Sequence, residues 1–367
     1  MDSDGRSAYR LSFPVHDQHI VTCLQFDSDK IVTGSDDQNV EIHDMKTGAL
    51  RCKLEGHEGG IWCLRYHGNM LVTGSTDQTL RVWNIEQAKC EYVLRGHTST
   101  VRGLEFLLPE EIGSDEHGIP TIIPEEPVII SASRDSTIRI WKVPRAMERL
   151  EEAGQPYDES GDESAYLLRV LKGHQHSVRA IAAHGDTVVS GSYDCTVRTW
   201  EISTGEMVHE FQGHTQKVYC VALDHERNRC MSGSMDMLIK IWCLSTGNLL
   251  YNLEGHSSLV GVLSLRGDFL VSGSADSTLR IWNPENGECK HILTEHKSAI
   301  TCVTQDDQRL VAGGDGSVKM WNIQTGKLIK DLIFGIEGAW QVELNNETCV
   351  AAVYRDGNSF VEVCLTI

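Results

Sequence analysis

"SASRDSTIRIW", residues Ser131–Trp141, recurs with small changes along the chain. The other copies read "TGSDDQNVEIH" (Thr33–His43), "TGSTDQTLRVW" (Thr73–Trp83), "SGSYDCTVRTW" (Ser190–Trp200), "SGSMDMLIKIW" (Ser232–Trp242), "SGSADSTLRIW" (Ser272–Trp282) and "AGGDGSVKMW" (Ala312–Trp321). Each keeps an Asp six residues before the Trp, or before His43 in the first copy. The residue before that Asp varies freely: Asp36, Thr76, Arg134, Tyr193, Met235, Ala275 and Gly314. Upstream stands a Gly-His pair or a variant of it, at His57, His97, His174, His214, His256 and His296, with His16 a weaker first member. Without insertions the period is about 40 residues, which marks a repeat architecture. Within a unit, β-branched runs such as "IWCLRY", "MLVTGS" and "TLRVWN" alternate with turn residues. They read as strands of about five or six residues, about four to a unit.

This pattern resembles the WD-repeat β-propeller, although the usual final Asp is Asn, Lys, Glu or Cys here. The tail "GAWQVELNNETCVAAVYRDGNSFVEV" has no Gly-His and no Trp-Asp, yet it reads as three strands. "AYRLSF" near the N-terminus supplies a fourth, and such closure removes exposed sheet edges. The expected fold is all-β: an eight-bladed WD-repeat propeller over residues 8–367, closed by the N-terminal strand. Residues 1–7 are expected to form a disordered lead-in.

Composition narrows the function. The chain of 367 residues is long enough for one large repeat domain with a continuous core. It has no apolar run of membrane-spanning length and no signal-peptide pattern at its start. A net charge of −19 argues against nucleic acid and anionic membranes as general partners. Twelve Cys occur without any CxxC pair, and Cys23, Cys63, Cys220 and Cys302 recur at matching repeat positions. Reduced, buried thiols in an intracellular protein are the expectation, so the "NET" sequon at Asn346 carries little weight.

Each unit also repeats a His, a Ser or Thr, an Asp and a Trp, as in His57, Thr73 or Ser75, Asp77 and Trp83. An enzyme needs one such constellation, whereas this chain has six nearly complete ones. A hydrogen-bonded network that pins each turn explains them together. The His and Cys residues lack metal-ligand spacing, and "GHQHS" around His174 and His176 is too local for a tetrahedral site. No cofactor, metal or catalytic residue is expected.

Two variable positions per blade are expected to meet at the mouth of the propeller, on the rim where the first strand starts. One follows the Val or Ile that opens the first strand: Val21, Trp62, Arg102, Arg179, Tyr219, Gly261, Thr301, and Gln341 beside Trp340. The other precedes the repeated Asp. Arg102, Arg134 and Arg179 fall together in neighbouring blades, with Trp62, Tyr193, Tyr219, Met235 and Trp340 around them. Clustered guanidinium groups repel one another unless an anion sits between them, and Arg suits bidentate phosphate binding. The expected ligand is an extended peptide carrying a phosphate. The insertions 107–127 and 144–166 are acidic and rich in turn formers, and they are expected as solvated loops on the opposite, bottom rim.

The stretches "GHEGGIWCLRY", "GHTSTVRGLEF", "SASRDSTIRIW", "SVRAIAAHGDTVVSGSYD", "VYCVALDHERNRCMSGSMD" and "LVGVLSLRGDFLVSGSADS" are similar to the F-box/WD-repeat family of the cell-division-control-protein-four type, in its fungal form. Members of that family are phosphodegron receptors of SCF-type cullin-RING ubiquitin ligases. The resemblance implies a phosphate grip by Arg102, Arg134 and Arg179 with Tyr193 alongside. It implies a proline pocket from Trp62, Thr76 and Thr100, and aliphatic subsites from Ile20, Tyr219, Met235, Leu259 and Trp340. Partners are then phosphorylated Ser/Thr-Pro segments of regulatory proteins, with a nuclear or cytoplasmic location and a monomeric propeller. Gln38 and Gln78 stand where family members often have Lys or Arg. The family docks a Skp-type adaptor and a cullin through an F-box, which is expected to be absent from so short an N-terminal segment. The alternative is a WD-repeat interaction scaffold without a ubiquitin role.

Overall fold

The computed structural model describes residues 10–114, 120–144 and 166–366. The fold is all-β, with eight four-stranded antiparallel sheets, the blades of a propeller, and one two-stranded hairpin among these residues. Numbered along the chain, blade one covers 21–54, blade two 61–94, blade three 101–171, blade four 178–211, blade five 218–253, blade six 260–293 and blade seven 300–336. Blade eight takes three strands from 338–365 and its fourth from Arg10–Pro14. The chain divides into two compact units. One holds residues 56–236 and 240–250, and therefore blades two to four and most of blade five. The other holds blades one, six, seven and eight.

In the first of these units the sheets pack face to face through alternating apolar residues. Val128, Ile130, Ile138 and Ile140 of blade three meet Val178, Ile181, Val188 and Trp200 of blade four. Blade two joins blade three through Val72, Leu80, Val82, Leu104, Ile129 and Trp141, and blade four joins blade five through Val189, Val197, Phe211, Val218 and Trp242. The second strand of each blade is covered on both faces. Val128–Ser133 is buried throughout, which is why it reads as an unbroken small-and-apolar run instead of an alternating one. The glycine of the repeated Thr/Ser-Gly-Ser is sterically required. A Cβ on Gly74 or Gly191 would come within 2.7 Å of a valine of the next blade.

In the other unit, Arg10–Pro14 pairs antiparallel with Asn358–Leu365, setting Leu11 against Val363 and Phe13 against Val361. Ser12 Oγ donates to Glu362 at 3.1 Å, and the fully buried Glu362 carboxylate takes Arg355 Nη2 at 2.7 Å. The tail thus makes a full blade without the repeat signature, its outer strand supplied from the other end of the chain.

The first insertion differs from the solvated loop expected of it. Glu110–Ser114 pairs with Pro120–Ile123 as a hairpin, with a register shift between Glu111 and Gly113. The Glu110 carboxylate lies 3.8 Å from His184, whose ring stacks on His225 with centroids 3.5 Å apart. The hairpin leaves strand Val101–Leu107 at the end opposite Arg102. Most of the second insertion, 145–165, and the lead-in 1–7 lie outside the described residues.

Candidate phosphopeptide site

The turn that carries Arg134 is built by the repeated polar network. His97 Nδ1 meets Asp135 Oδ2 at 2.8 Å, and since a carboxylate only accepts, this nitrogen carries the proton. Ser131 Oγ then donates to His97 Nε2 at 2.8 Å and accepts from Trp141 Nε1 at 2.8 Å. Asp135 also accepts from the Thr98 and Thr137 N–H groups at 3.0 and 2.8 Å. Burial opposes charge on Asp135, but the bonds from His97 and Thr137 outweigh it and hold its pKa well below the usual carboxylate range. Burial likewise lowers His97, which keeps the ring neutral. Ser131, His97, Asp135 and Trp141 are thus committed to one another, as a structural network holding the turn requires. In blade two the hydroxyl is that of Thr73, at 2.7 Å from His57. Ser75 instead caps the turn, donating to the Gly59 carbonyl at 2.7 Å.

Blades four, five and six repeat the arrangement, with His–Asp distances of 2.7–2.9 Å. Blade one forms it around His16, Asp37 and Thr33, with His43 where the others have Trp. Blade seven does not form it. Ala312 replaces the serine, the turn is one residue shorter, and Trp321 Nε1 turns to Glu295 at 3.1 Å. His296 is left buried with both ring nitrogens unpartnered, and burial pushes its pKa down to about 4.

This scaffold presents the variable residues. Ser136 after Asp135 is left-handed, at φ 71°, as are Gln78 and Cys195 in the neighbouring blades. The Arg134 N–H is tied to the Thr100 carbonyl at 2.9 Å, leaving its side chain exposed above the turn. The first strands add a second device. Pairing runs from Val101↔Ser133 to Gly103↔Ala132, so Arg102 is the extra residue of a β-bulge. Trp62, Arg179 and Tyr219 occupy the same bulge in blades two, four and five. A bulge breaks the alternation of faces and re-aims one side chain. The sequence expected this column, with two errors. Blade one bulges at Thr22, since Val21 is fully buried, and blade eight at Trp340 instead of Gln341.

Three guanidinium groups and two phenols come together here. The Arg102 guanidinium stacks over Trp62, 4.2 Å from its centroid. Burial and the positive charges of Arg179 and Arg134 hold Arg102 below its ordinary pKa, against the opposite pull of Tyr193. Tyr193 and Tyr219 pack with centroids 5.2 Å apart. Burial and the neighbouring Tyr193 push the Tyr219 phenol up, against the field of Arg179 and Arg102. The side chains of Arg102, Arg134 and Arg179 make no hydrogen bond or ion pair among the described residues. By contrast Arg51, Arg65, Arg198, Arg227, Arg266, Arg309 and Arg355 each hold a carboxylate. The cluster is thus a group of positive charges without a carboxylate partner among the described residues.

Thr76 is exposed with its N–H on the Gly60 carbonyl at 2.9 Å, and Thr100 is buried beneath Arg134. Met235 is exposed, its N–H on the Lys217 carbonyl at 2.9 Å. The sequence reading missed Lys217, whose Nζ lies 4.9 Å from the Tyr193 ring centroid. Its signal was available, because it holds the same repeat position as Thr100. In the other unit Trp340 is half-buried with an unpartnered, buried Nε1. There the Ile20 and Leu259 carbonyls accept from Asp36 and Ala275 at 3.3 and 2.9 Å.

Seven segments, residues 8–44, 48–84, 88–142, 165–201, 205–243, 247–283 and 287–322, match the family described as WD domain, G-beta repeat. The chain is 46% identical to Cell division control protein 4 of Candida albicans, over 97% of this chain and 53% of that protein. It is 42% identical to WD repeat-containing protein pop2 of Schizosaccharomyces pombe, over 96% and 50%, and 35% identical to Cell division control protein 4 of Saccharomyces cerevisiae, over 95% and 46%. It spans about half the length of these relatives. The crystal structure of the computationally designed Ika8 protein superposes with a TM-score of 0.78 at 28% identity, covering 96% of this chain and 98% of that one.

Proposed function

The chain belongs to the WD-repeat family, and its similarity over nearly the whole length supports the Cell division control protein 4 type; from that premise we propose that it is a phosphopeptide reader. Arg102, Arg134 and Arg179 bind the phosphate of a phosphothreonine or phosphoserine, with Tyr193 as a further hydrogen-bond donor. Trp62, Thr76 and Thr100 receive the following proline, and Tyr219 and Met235 the preceding aliphatic side chains. The same reading assigns Ile20, Leu259 and Trp340 to the ligand. The observation that carries it is the set of three arginines in neighbouring blades with no acceptor of their own among the described residues. Water-exposed arginines in a chain of net charge −19 find carboxylates readily, so a cluster kept free of them is suited to a strong external anion. Net repulsion does not prevent this, because charges beyond about 8 Å are largely screened at physiological salt.

Within a longer protein, this reader serves as the substrate receptor of an SCF-type ubiquitin ligase and does no chemistry itself. Fluorescence anisotropy with an aliphatic-aliphatic-phosphothreonine-proline peptide and its unphosphorylated twin tests the reading. The phosphorylated form binds, and the other binds far more weakly. Equal affinity for the two rejects the phosphate-reader assignment.

A further inference from the structure

We propose that Lys217 is a specificity determinant that reads a second acidic group on the ligand, on the N-terminal side of the phosphorylated residue. The proposal rests on the phosphate-reader assignment and extends it. Four blades of one unit share the position before the bulged first-strand residue pair, and it holds Gly60, Thr100, Ser177 and Lys217. Blade five alone among them places a charge there. Its ammonium lies 4.9 Å from the Tyr193 ring centroid, while Tyr219 packs on Tyr193 at 5.2 Å. Hydrogen bonding of the Met235 N–H to the Lys217 carbonyl, at 2.9 Å, fixes the backbone at the subsites assigned to the preceding aliphatic residues.

Lys217 makes no ion pair among the described residues. Asp194 and Asp236, which act on Cys195 together with Lys217, are held by His174 at 2.7 Å and His214 at 2.8 Å. The charge of Lys217 acts on Cys195, whereas Arg102 feels Arg179 and Arg134. Lys217 directly precedes the first strand of blade five, whereas Arg102, Arg134 and Arg179 belong to blades three and four. One phosphate brings about −1.5 to −2 charges, against three arginines and this lysine. The complement of such a surface carries a further negative charge, placed where Lys217 reaches it.

The test uses the whole chain and a phosphothreonine-proline peptide with Gln replaced by Glu, one position at a time, from the first to the fifth residue before the phosphothreonine. At low salt, Glu at one of these positions strengthens binding about threefold to fivefold, the upper part of the range of an exposed ion pair. The gain disappears in Lys217→Gln, and Lys217→Glu prefers Lys over Gln at that same position. Undiminished binding of the phosphopeptide with no Lys217-dependent gain at any position overturns the proposal and leaves the phosphate reading standing. Failure to distinguish phosphorylated from unphosphorylated peptide overturns both.

Discussion

Arg134 and Asp135 are adjacent in sequence and do opposite work. The Asp135 carboxylate holds a histidine, a threonine hydroxyl and two backbone N–H groups, while the Arg134 side chain has no partner among the described residues. Replacing Asp135 with Ala strands buried donors, each costing about 1–3 kcal/mol, and lowers the unfolding midpoint in thermal and denaturant melts. Replacing Arg134 with Ala leaves the melt unchanged. It weakens phosphopeptide binding by about 2–5 kcal/mol, as when one partner of a desolvated charge pair is removed. An Arg134→Ala protein that unfolds early is incompatible with an exposed, unpaired side chain. At this scale the arginines were legible because the repeat supplies its own alignment, and a varying position stands out against fixed ones. The Val21 and Gln341 assignments failed because a bulge shifts register by one residue; aligning Cys23 with Cys63, Cys220 and Cys302 marks Thr22 as the extra residue, whereas "GAWQVEL" carries no such marker.

The blade is the element on which the polar network succeeds or fails, and blade seven is its natural exception. Ala312 removes the hydroxyl that would join His296 to Trp321, and a buried, unpartnered imidazole remains. Restoring the hydroxyl with Ala312→Ser raises stability by about 0.5–1.5 kcal/mol, the net worth of a buried hydrogen bond, as measured by urea titration. His296 and His43 both have folded pKa values lowered to about 4 by burial, with a further contribution for His43 from the charge of His16. The unfolded chain binds these protons first, so stability is full above pH 6.5 and falls as pH drops from about 6.5 toward about 4. Replacing His296 with Leu flattens part of that slope in melts run between pH 7 and pH 4.5. An unchanged slope excludes His296 as a source of it. The departure in "AGGDGSVKMW" was visible in sequence as a missing Ser and a shortened turn. Its consequence was not, because an orphaned histidine depends on where Trp321 finds another acceptor. The insertion hairpin at Glu110–Ser114 was missed for a related reason: acidic and Gly-Pro-rich residues read as loop, and its pairing partner lies across residues that carry no strand signature.

For the molecule as a whole, the repeat count made the eight-blade fold legible, including the last blade that lacks the signature. Closure by Arg10–Pro14 depends on pairing with Asn358–Leu365 and on Glu362, a fully buried carboxylate shared by Arg355 and Ser12. Glu362→Ala leaves the half-buried Arg355 charge without its carboxylate and costs about 3–5 kcal/mol. Hydrogen exchange shows the loss as faster exchange along the 358–365 strand, and unchanged exchange there would mean that closure does not depend on this carboxylate. What the sequence could not supply is the electrostatic state of the site. Seven other arginines in the same chain are neutralised by carboxylates, and only geometry separates those from Arg102, Arg134 and Arg179. The most direct test of the phosphate grip is a double-mutant cycle by calorimetric titration. It pairs wild-type and Arg134→Ala protein with phosphorylated and unphosphorylated peptide, at two salt concentrations. The predicted result is a coupling of at least about 2 kcal/mol between Arg134 and the phosphate, with affinity for the phosphopeptide falling as salt rises. A coupling near zero, with both proteins folded, would contradict the assignment of this cluster as the phosphate site.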